Sequence, residues 1–385
     1  MPRLMYLATA PEALRNLADG QLAYFRARGY EVIAVANPGE DLDFVAQREQ
    51  IQTVAVSMRR EIQPIADLVS LWRLWRLMRC QRPDIVVAGT AKAGLVGMLA
   101  AWLARVSVRI YLLRGLRLET THGLKRRILL VAEKIAAGCA QRMICVSNSL
   151  RDQAIARGIV SPEKAIVLLH GSSNGILADQ FAQTPEVRAT AKQLRGGWGI
   201  PANAPVIGFV GRFVRDKGFV ELADAFDQII AEQPDARLLL VGHYENGDPV
   251  PESYVRRIAE HPQIIRPGFI RDLAPYYGTM DVLAFPTHRE GFPNVILQAS
   301  AAGLPVVAFR ATGALDAVED GVTGALVDVG DVQGLAAALL HYIDDAALRR
   351  QHGRAARDRV LRDFQREPIW AALDAEFRQL LEASS

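Results

Sequence analysis

Pro205-Val-Ile-Gly-Phe-Val-Gly-Arg-Phe-Val-Arg-Asp-Lys-Gly218 carries the pattern from which the fold is read. An apolar strand ends at Gly211, a short loop follows with Arg212, Arg215 and Lys217, and a helical pattern begins near Phe219. Strand, glycine turn, cations and helix in this order make the phosphate cradle of a doubly wound α/β sheet. The glycine spacing matches neither the dinucleotide fingerprint nor the Walker A loop, and both are rejected. Arginine offers phosphate oxygens a planar fork and lysine a point charge, so Arg212 and Lys217 are placed to hold a diphosphate. Taken alone, the same loop also reads as a solvated basic turn.

A second stretch, Glu290-Gly-Phe-Pro-Asn-Val-Ile-Leu-Gln-Ala299, turns a tight loop into a buried helix. The helix start, with Gly291, Phe292 and Asn294, is an anion site, because its free amides and its dipole favour negative charge. Glu290 cannot share in binding a phosphate, since like charges repel. It is placed to accept hydrogen bonds from a hydroxylated group attached to that phosphate. The plainer alternative is an acidic helix start stabilised by its own dipole.

Together these stretches resemble the second domain of retaining, nucleotide-sugar-dependent glycosyltransferases of family 4. The resemblance runs in order through Val210-Gly211-Arg212 to Lys217-Gly218, Leu239-Leu-Val-Gly242, Gly268-Phe-Ile270, Asp281-Val-Leu-Ala-Phe-Pro286, the Glu290 stretch, Ala302-Gly-Leu-Pro-Val-Val307 and Asp320-Gly-Val-Thr-Gly324. It implies the GT-B architecture: two Rossmann-like, doubly wound α/β domains facing across a cleft, with a final helix crossing back to the first. The expected domains are residues 1–180, completed by 366–385, and 181–365. The resemblance further implies a UDP-linked sugar donor as co-substrate, with no cofactor and no metal. Arg212 and Lys217 would neutralise the leaving diphosphate, Glu290 orient the donor sugar, Gln298 contact the ribose and Ile270 support the base. The family has a second glutamate where this chain has Gln298, which keeps hydrogen-bonding capacity but loses charge assistance.

The first half is similar, more loosely, to enzymes that elongate sugars on undecaprenyl diphosphate, through Lys92-Ala-Gly-Leu-Val-Gly97, Tyr111-Leu-Leu-Arg-Gly-Leu116 and Gly171-Ser-Ser-Asn-Gly175. This implies a lipid-diphosphate-linked sugar as acceptor. Gly89-Thr-Ala-Lys92 departs from the His-Thr-Pro-Lys common in that group. Lys92 and Arg114 follow successive strands and are candidates to grip the acceptor diphosphate; each also reads as half of a structural ion pair. His122 is a candidate to orient an acceptor hydroxyl, or simply a loop histidine in solvent.

With 385 residues, half of them hydrophobic, the chain is too long for one ordinary core, so two domains are expected. Strands are expected at Leu4–Ala8, Glu31–Ala36, Ile85–Ala88, Arg109–Leu113, Met143–Val146 and Ala165–Leu168, with helices between them. A further alternation begins at Val206, and the closing helices include Glu367–Glu382. Ser172–Pro201 has no strand signal and reads as the connection between domains. Cys80, Cys139 and Cys145 form no metal-spaced set and suit a reducing cytoplasm. A strand starting at Leu4 leaves no room for a secretory leader. The uncharged run between Lys92 and Arg105 is 12 residues, too short to span a bilayer.

Charge is divided unequally. Residues 1–185 hold 24 Lys+Arg against 15 Asp+Glu, and the remainder 21 against 27. In the basic half, Leu68-Val-Ser-Leu-Trp-Arg-Leu-Trp-Arg-Leu-Met-Arg79 interleaves tryptophan with arginine, and Lys125-Arg126-Arg127 precedes an apolar run. Such helices lie on an anionic membrane surface, which would make this a cytoplasmic protein peripheral to the inner face of the membrane. The alternative puts Trp and Leu in the core and Arg in solvent. Nucleic acid is not expected, because no recognised binding pattern occurs. Asp41-Leu-Asp43 has the spacing of a metal-binding pair but is expected in a loop. No Ser-His-Asp or HExxH pattern supports hydrolysis. Sugar epimerases and phosphorylases share the implied fold, and Gln298 leaves a weakened scaffold as the non-enzymatic alternative.

Overall fold

The structure, a computed structural model, describes every residue except Arg60, Ile62 and Ser385. The chain divides into two compact units, residues 1–174 with 366–385, and residues 175–365.

Unit 1 begins with β1 Arg3–Leu7, α1 Pro11–Leu17, α2 Gln21–Ala27, β2 Glu31–Ala36, α3 Glu40–Glu49, β3 Gln52–Ala55 and α4 Pro64–Gln81. It continues through β4 Ile85–Ala88, α5 Ala91–Leu103, β5 Val108–Leu113, α6 Gly123–Cys139, β6 Arg142–Cys145, α7 Asn148–Ala156 and β7 Ala165–Val167. The strands form one parallel sheet in the order β3-β2-β1-β4-β5-β6-β7. Unit 2 holds α8 Pro185–Gly197, β8 Val206–Val210, α9 Phe219–Glu232, β9 Arg237–Val241, α10 Glu252–Glu260, β10 Ile264–Gly268, α11 Ala274–Tyr277 and β11 Val282–Phe285. Then come α12 Asn294–Ala301, β12 Val306–Phe309, α13 Ala314–Ala317, β13 Gly324–Val327, α14 Val332–Asp344 and α15 Ala346–Asp363. Its parallel sheet runs β10-β9-β8-β11-β12-β13.

Every residue of β4, β8, β11 and β12 is buried, as expected for parallel strands covered by helices on both faces. Each buried Val, Leu or Ile stabilises the fold by about 1.5–3 kcal/mol. The expected strands of unit 1 are present within one residue at each end. The strand not anticipated is β3, a half-exposed edge strand whose polar Gln52 and Thr53 interrupt any apolar run. Ser172–Pro201 holds the boundary between the units and no strand, but it contains a helix that was not anticipated, α8. Thr184 caps that helix by accepting a hydrogen bond from the Val187 amide, and Pro185 stands at its first turn. Only Ala191 is buried there, so the helix lacks the apolar stripe that would reveal it in sequence. Asp41 and Asp43 also depart from expectation, since both lie in the first turn of α3, where Asp41 pairs with Arg15.

The last helix, α16 Arg366–Glu382, belongs to unit 1 and packs on α2 and β5. Phe377 meets Phe25 with ring centres 5.1 Å apart. Asn174 is the polar hub of this packing: its Oδ1 accepts from Trp370 Nε1 at 2.7 Å and Gln21 Nε2 at 3.1 Å, while its Nδ2 donates to the Asp19 carbonyl at 3.0 Å. Tyr30 donates to Asp374 at 2.7 Å, and Arg142 pairs with Glu376 at 2.6 Å.

Candidate active site

Strand order reverses between β8 and β11, and there the connections leave on opposite faces and open a crevice at the carboxyl ends of the strands. The loop after β8 carries Arg212 and Lys217, and the loop after β11 carries Glu290. Two glycines bring neighbouring loops into close contact. Gly218 has φ +67°, and a Cβ there would lie 1.8 Å from the Pro286 carbonyl oxygen. Gly313, after β12, has φ +78° and would place a Cβ 2.4 Å from the Gly291 oxygen. Any larger residue forces the loops apart.

Consecutive residues on the two loops then pair with opposite polarity. Asp216 accepts from Arg289 Nη2 at 2.7 Å and Nε at 2.9 Å, and Lys217 contacts Glu290. The His288 amide donates to the Asp216 carbonyl at 2.9 Å, and the Thr287 hydroxyl to the same oxygen at 3.2 Å. His288 also pairs with Glu221 of α9 at 2.8 Å. Burial draws the Lys217 ammonium down to about 7, helped by Arg212 and Arg289 and opposed by Asp216. The Glu221 contact raises His288 against burial, and although burial pushes Glu221 up, the bond from His288 leaves it below the usual carboxylate range.

Arg212, half-exposed, donates through Nη1 to Glu245 on the loop after β9 at 2.7 Å. Both candidate diphosphate cations therefore rest against carboxylates. Ile270, half-buried, follows β10 beside the exposed Phe269, whose ring meets His243 at 5.8 Å. Phe292 is buried against Phe364, 5.3 Å between ring centres. Asn294 is the first residue of α12, and its buried Oδ1 has no hydrogen-bond partner among the described residues. Gln298 is the fifth residue of that helix and accepts from the buried Tyr277 hydroxyl at 3.0 Å. Burial holds the Tyr277 phenol well above its usual range.

The acceptor candidates of unit 1 have other company. Lys92, in the first turn of α5, pairs with Asp67 of α4 at 2.6 Å and is nearly buried. Arg114, after β5, donates through Nη2 to the Tyr6 hydroxyl at 3.0 Å and the Leu17 carbonyl at 3.1 Å. Among the described residues its buried Nε and Nη1 have no hydrogen-bond partner. His122 is exposed and precedes α6. Sequence reasoning missed Asp216, Arg289, Glu245 and Tyr277, which carry no local signal; only the adjacency of Asp216 and Arg289 to the two singled-out residues hinted at a role.

Two doubly wound parallel sheets, the second with cations and a carboxylate at its switch point, define the GT-B fold class. Residues 204–345 match the model of the glycosyl transferases group 1, and residues 15–171 that of the glycosyl transferase 4-like domain. A capsular polysaccharide biosynthesis glycosyltransferase, CapM, of Staphylococcus aureus is 35% identical over 99% of this chain and 98% of its own length. The UDP-Gal:alpha-D-GlcNAc-diphosphoundecaprenol alpha-1,3-galactosyltransferase of Escherichia coli is 27% identical over 75% of this chain and 74% of its own. Among solved structures, Anabaena Alr3699/HepE in complex with UDP superposes with a TM-score of 0.81 at 22% identity, over 98% of this chain and 100% of its own. The chain belongs to the group 1, family 4 glycosyltransferases of GT-B fold.

Proposed function

We propose that the protein transfers a sugar, with retention of anomeric configuration, from a UDP-sugar to a sugar carried on a polyprenyl diphosphate, in the assembly of a surface polysaccharide or glycan. The observation that carries this reading is the doublet of opposed ion pairs at the β8/β11 switch point, Asp216 with Arg289 and Lys217 with Glu290. Arg289 and Asp216 hold the two loops in register. Lys217 exchanges Glu290 for the donor diphosphate, and Glu290, released, accepts hydrogen bonds from the sugar hydroxyls. The bond between the anomeric carbon and the diphosphate oxygen breaks as the acceptor oxygen bonds to that carbon from the same face. The departing diphosphate takes the acceptor proton. Arg212 and Lys217 neutralise the charge that grows on it, without a metal ion, and this is the main electrostatic stabilisation in such a site. Gln298 offers its amide to the ribose, and Ile270 supports the base.

The donor assignment is supported by UDP in the Anabaena structure and the acceptor assignment by the name of the Escherichia coli relative. Among the described residues no helix is long and apolar enough to cross a membrane. A polyprenyl acceptor then requires the protein to work as a peripheral protein at the cytoplasmic face. The test is UDP release with a panel of UDP-sugars and a polyprenyl-diphosphate sugar, followed by NMR of the product. UDP release that depends on the acceptor, with an α-configured product from an α-linked donor, supports the proposal; interconversion of free nucleotide sugar with no transfer overturns it.

A further inference from the structure

Helices α4, α5 and α6 form one layer on unit 1, with α5 packed between its neighbours. Right-handed crossovers explain the grouping, because the strands these helices feed advance in one direction across the sheet. On α4, Leu74 and Met78 face the core, while Ile65, Leu68, Val69 and Trp72 recur at helical spacing and are exposed, Trp72 by 53%. The tryptophan therefore does not serve the core. On α6, Leu124, Ile128, Val131 and Ile135 make a second exposed apolar stripe, with Leu124 exposed by 73%. Trp102 and Leu103 add exposed apolar surface at the end of α5. A soluble surface seldom leaves so much apolar area uncovered.

The charges of this layer have one sign. The three helices contain eight Lys+Arg and two Asp+Glu. Both acids are engaged: Asp67 pairs with Lys92, and Glu133 is buried, accepting from Tyr111 at 2.8 Å. Burial raises the Glu133 carboxyl to about 7, which further reduces its negative charge. The other seven cations, among them Arg73, Arg76, Lys125, Arg126 and Arg127, are exposed, and no exposed carboxylate on these helices answers them. Arg76 lies over the Trp72 ring at 5.6 Å.

We propose that this face, α4 and α6 flanking the end of α5, docks on an anionic lipid bilayer, with the apolar stripes entering the headgroup boundary and the cations meeting lipid phosphates. Charge complementarity decides the occupant. A second copy docked through a twofold axis would set cations against cations, whereas a leaflet with anionic lipids attracts every one of them. The proposal rests on the lipid-linked acceptor reading, to which it adds the surface that brings unit 1 to the lipid.

The test uses the full chain and sedimentation with vesicles of phosphatidylcholine alone or with phosphatidylglycerol. Wild type is expected to bind the anionic vesicles and to be released by salt. Replacing Lys125, Arg126 and Arg127 by Gln should weaken partition about a hundredfold, at about a fivefold step per cation. Leu124→Glu with Ile128→Glu should abolish it, while Gln at Arg350, Arg354 and Arg357, an exposed basic row on α15 of unit 2, should change nothing. UDP calorimetry on each variant reports folding and should be unaltered. Absence of binding by wild type, binding unaffected by the α6 changes, or a wild-type dimer dissolved by Leu124→Glu would each overturn the docking face. Turnover on a water-soluble, short-chain acceptor separates the two ideas. Lost transfer to vesicle-borne acceptor with retained transfer to the soluble one supports docking; failure of wild type on both acceptors sinks the reaction, and sedimentation still decides the surface.

Discussion

The two sheets have the same design and use their switch points differently. In unit 1 the reversal falls between β1 and β4, and in unit 2 between β8 and β11. At the first, polar groups close on one another: Thr9 and Thr90 hydroxyls stand 2.8 Å apart, Arg114 reaches back to Tyr6, and Lys92 is held by Asp67. At the second, the cations rest against carboxylates borne on neighbouring loops, and in the proposed reaction the donor diphosphate takes the place of those carboxylates. On the proposed reading, the charges of the first crevice hold the fold, and those of the second are given up to the donor. An anion site therefore needs more than topology; it needs cations whose present partners can be displaced at small cost.

The most severe test of that contrast is Lys217→Ala. Loss of one charge-assisted contact to the diphosphate should cost about 1.5–3 kcal/mol of donor affinity, read by UDP calorimetry and by turnover. Glu290→Ala should lower turnover far more than UDP affinity, since it removes a sugar contact and frees Lys217. Equal losses in both measurements would take Glu290 out of its assigned role.

Lys92→Ala should behave in the opposite way. It leaves the Asp67 carboxylate largely buried without its partner, so unfolding stability should fall by about 2 kcal/mol, with UDP affinity unchanged. A large change in UDP affinity without loss of stability would erase the distinction between the crevices.

The depressed Lys217 ammonium sets a pH signature. Bound diphosphate favours the charged amine, so its pKa rises on binding. Below about 7 the free protein is already protonated, and affinity is greatest. Above that, binding must take up a proton, and affinity should fall by up to about tenfold per pH unit until the bound-state value is reached. Calorimetry from pH 7 to 9 should show this slope, and Lys217→Arg should flatten it.

A smaller effect is expected at Glu245. Because its pair with Arg212 is half-exposed, releasing the guanidinium by Glu245→Gln should tighten UDP binding by at most about fivefold, within the range of surface ion pairs. Weaker binding instead would mean that Glu245 orients Arg212. Gln298→Glu should give the slightest change. Gln298 lies in the second turn of α12, where the helix dipole offsets little of the added negative charge, but the Tyr277 hydroxyl can donate to either side chain. UDP and its 2′-deoxy analogue, compared by calorimetry on both forms, measure that preference.

Most of the fold was legible in the sequence because parallel strands buried on both faces appear as apolar runs such as Val206–Val210 and Val306–Phe309. Where burial is one-sided or slight, as in β3 and α8, the pattern fades and the element was missed. Within the candidate site, Arg212, Lys217 and Glu290 could be singled out, since glycine turns and helix starts announce phosphate chemistry locally, and Gln298 only through the family resemblance.

Pairing is what the linear pattern does not contain. That Lys217 faces Glu290 and Asp216 faces Arg289 depends on β8 lying beside β11 and on close approach at Gly218, and that Gln298 meets Tyr277 depends on how the helices on either side of β11 in the chain pack. The exposure of Trp72 was equally undecided, because helical spacing alone fits a stripe turned toward the core or toward a bilayer. By itself the sequence determined two doubly wound domains and the kind of chemistry in the second, through local apolar runs and turn residues. Which charges pair with which was decided only by the tertiary structure, because that depends on contacts between residues distant in the chain.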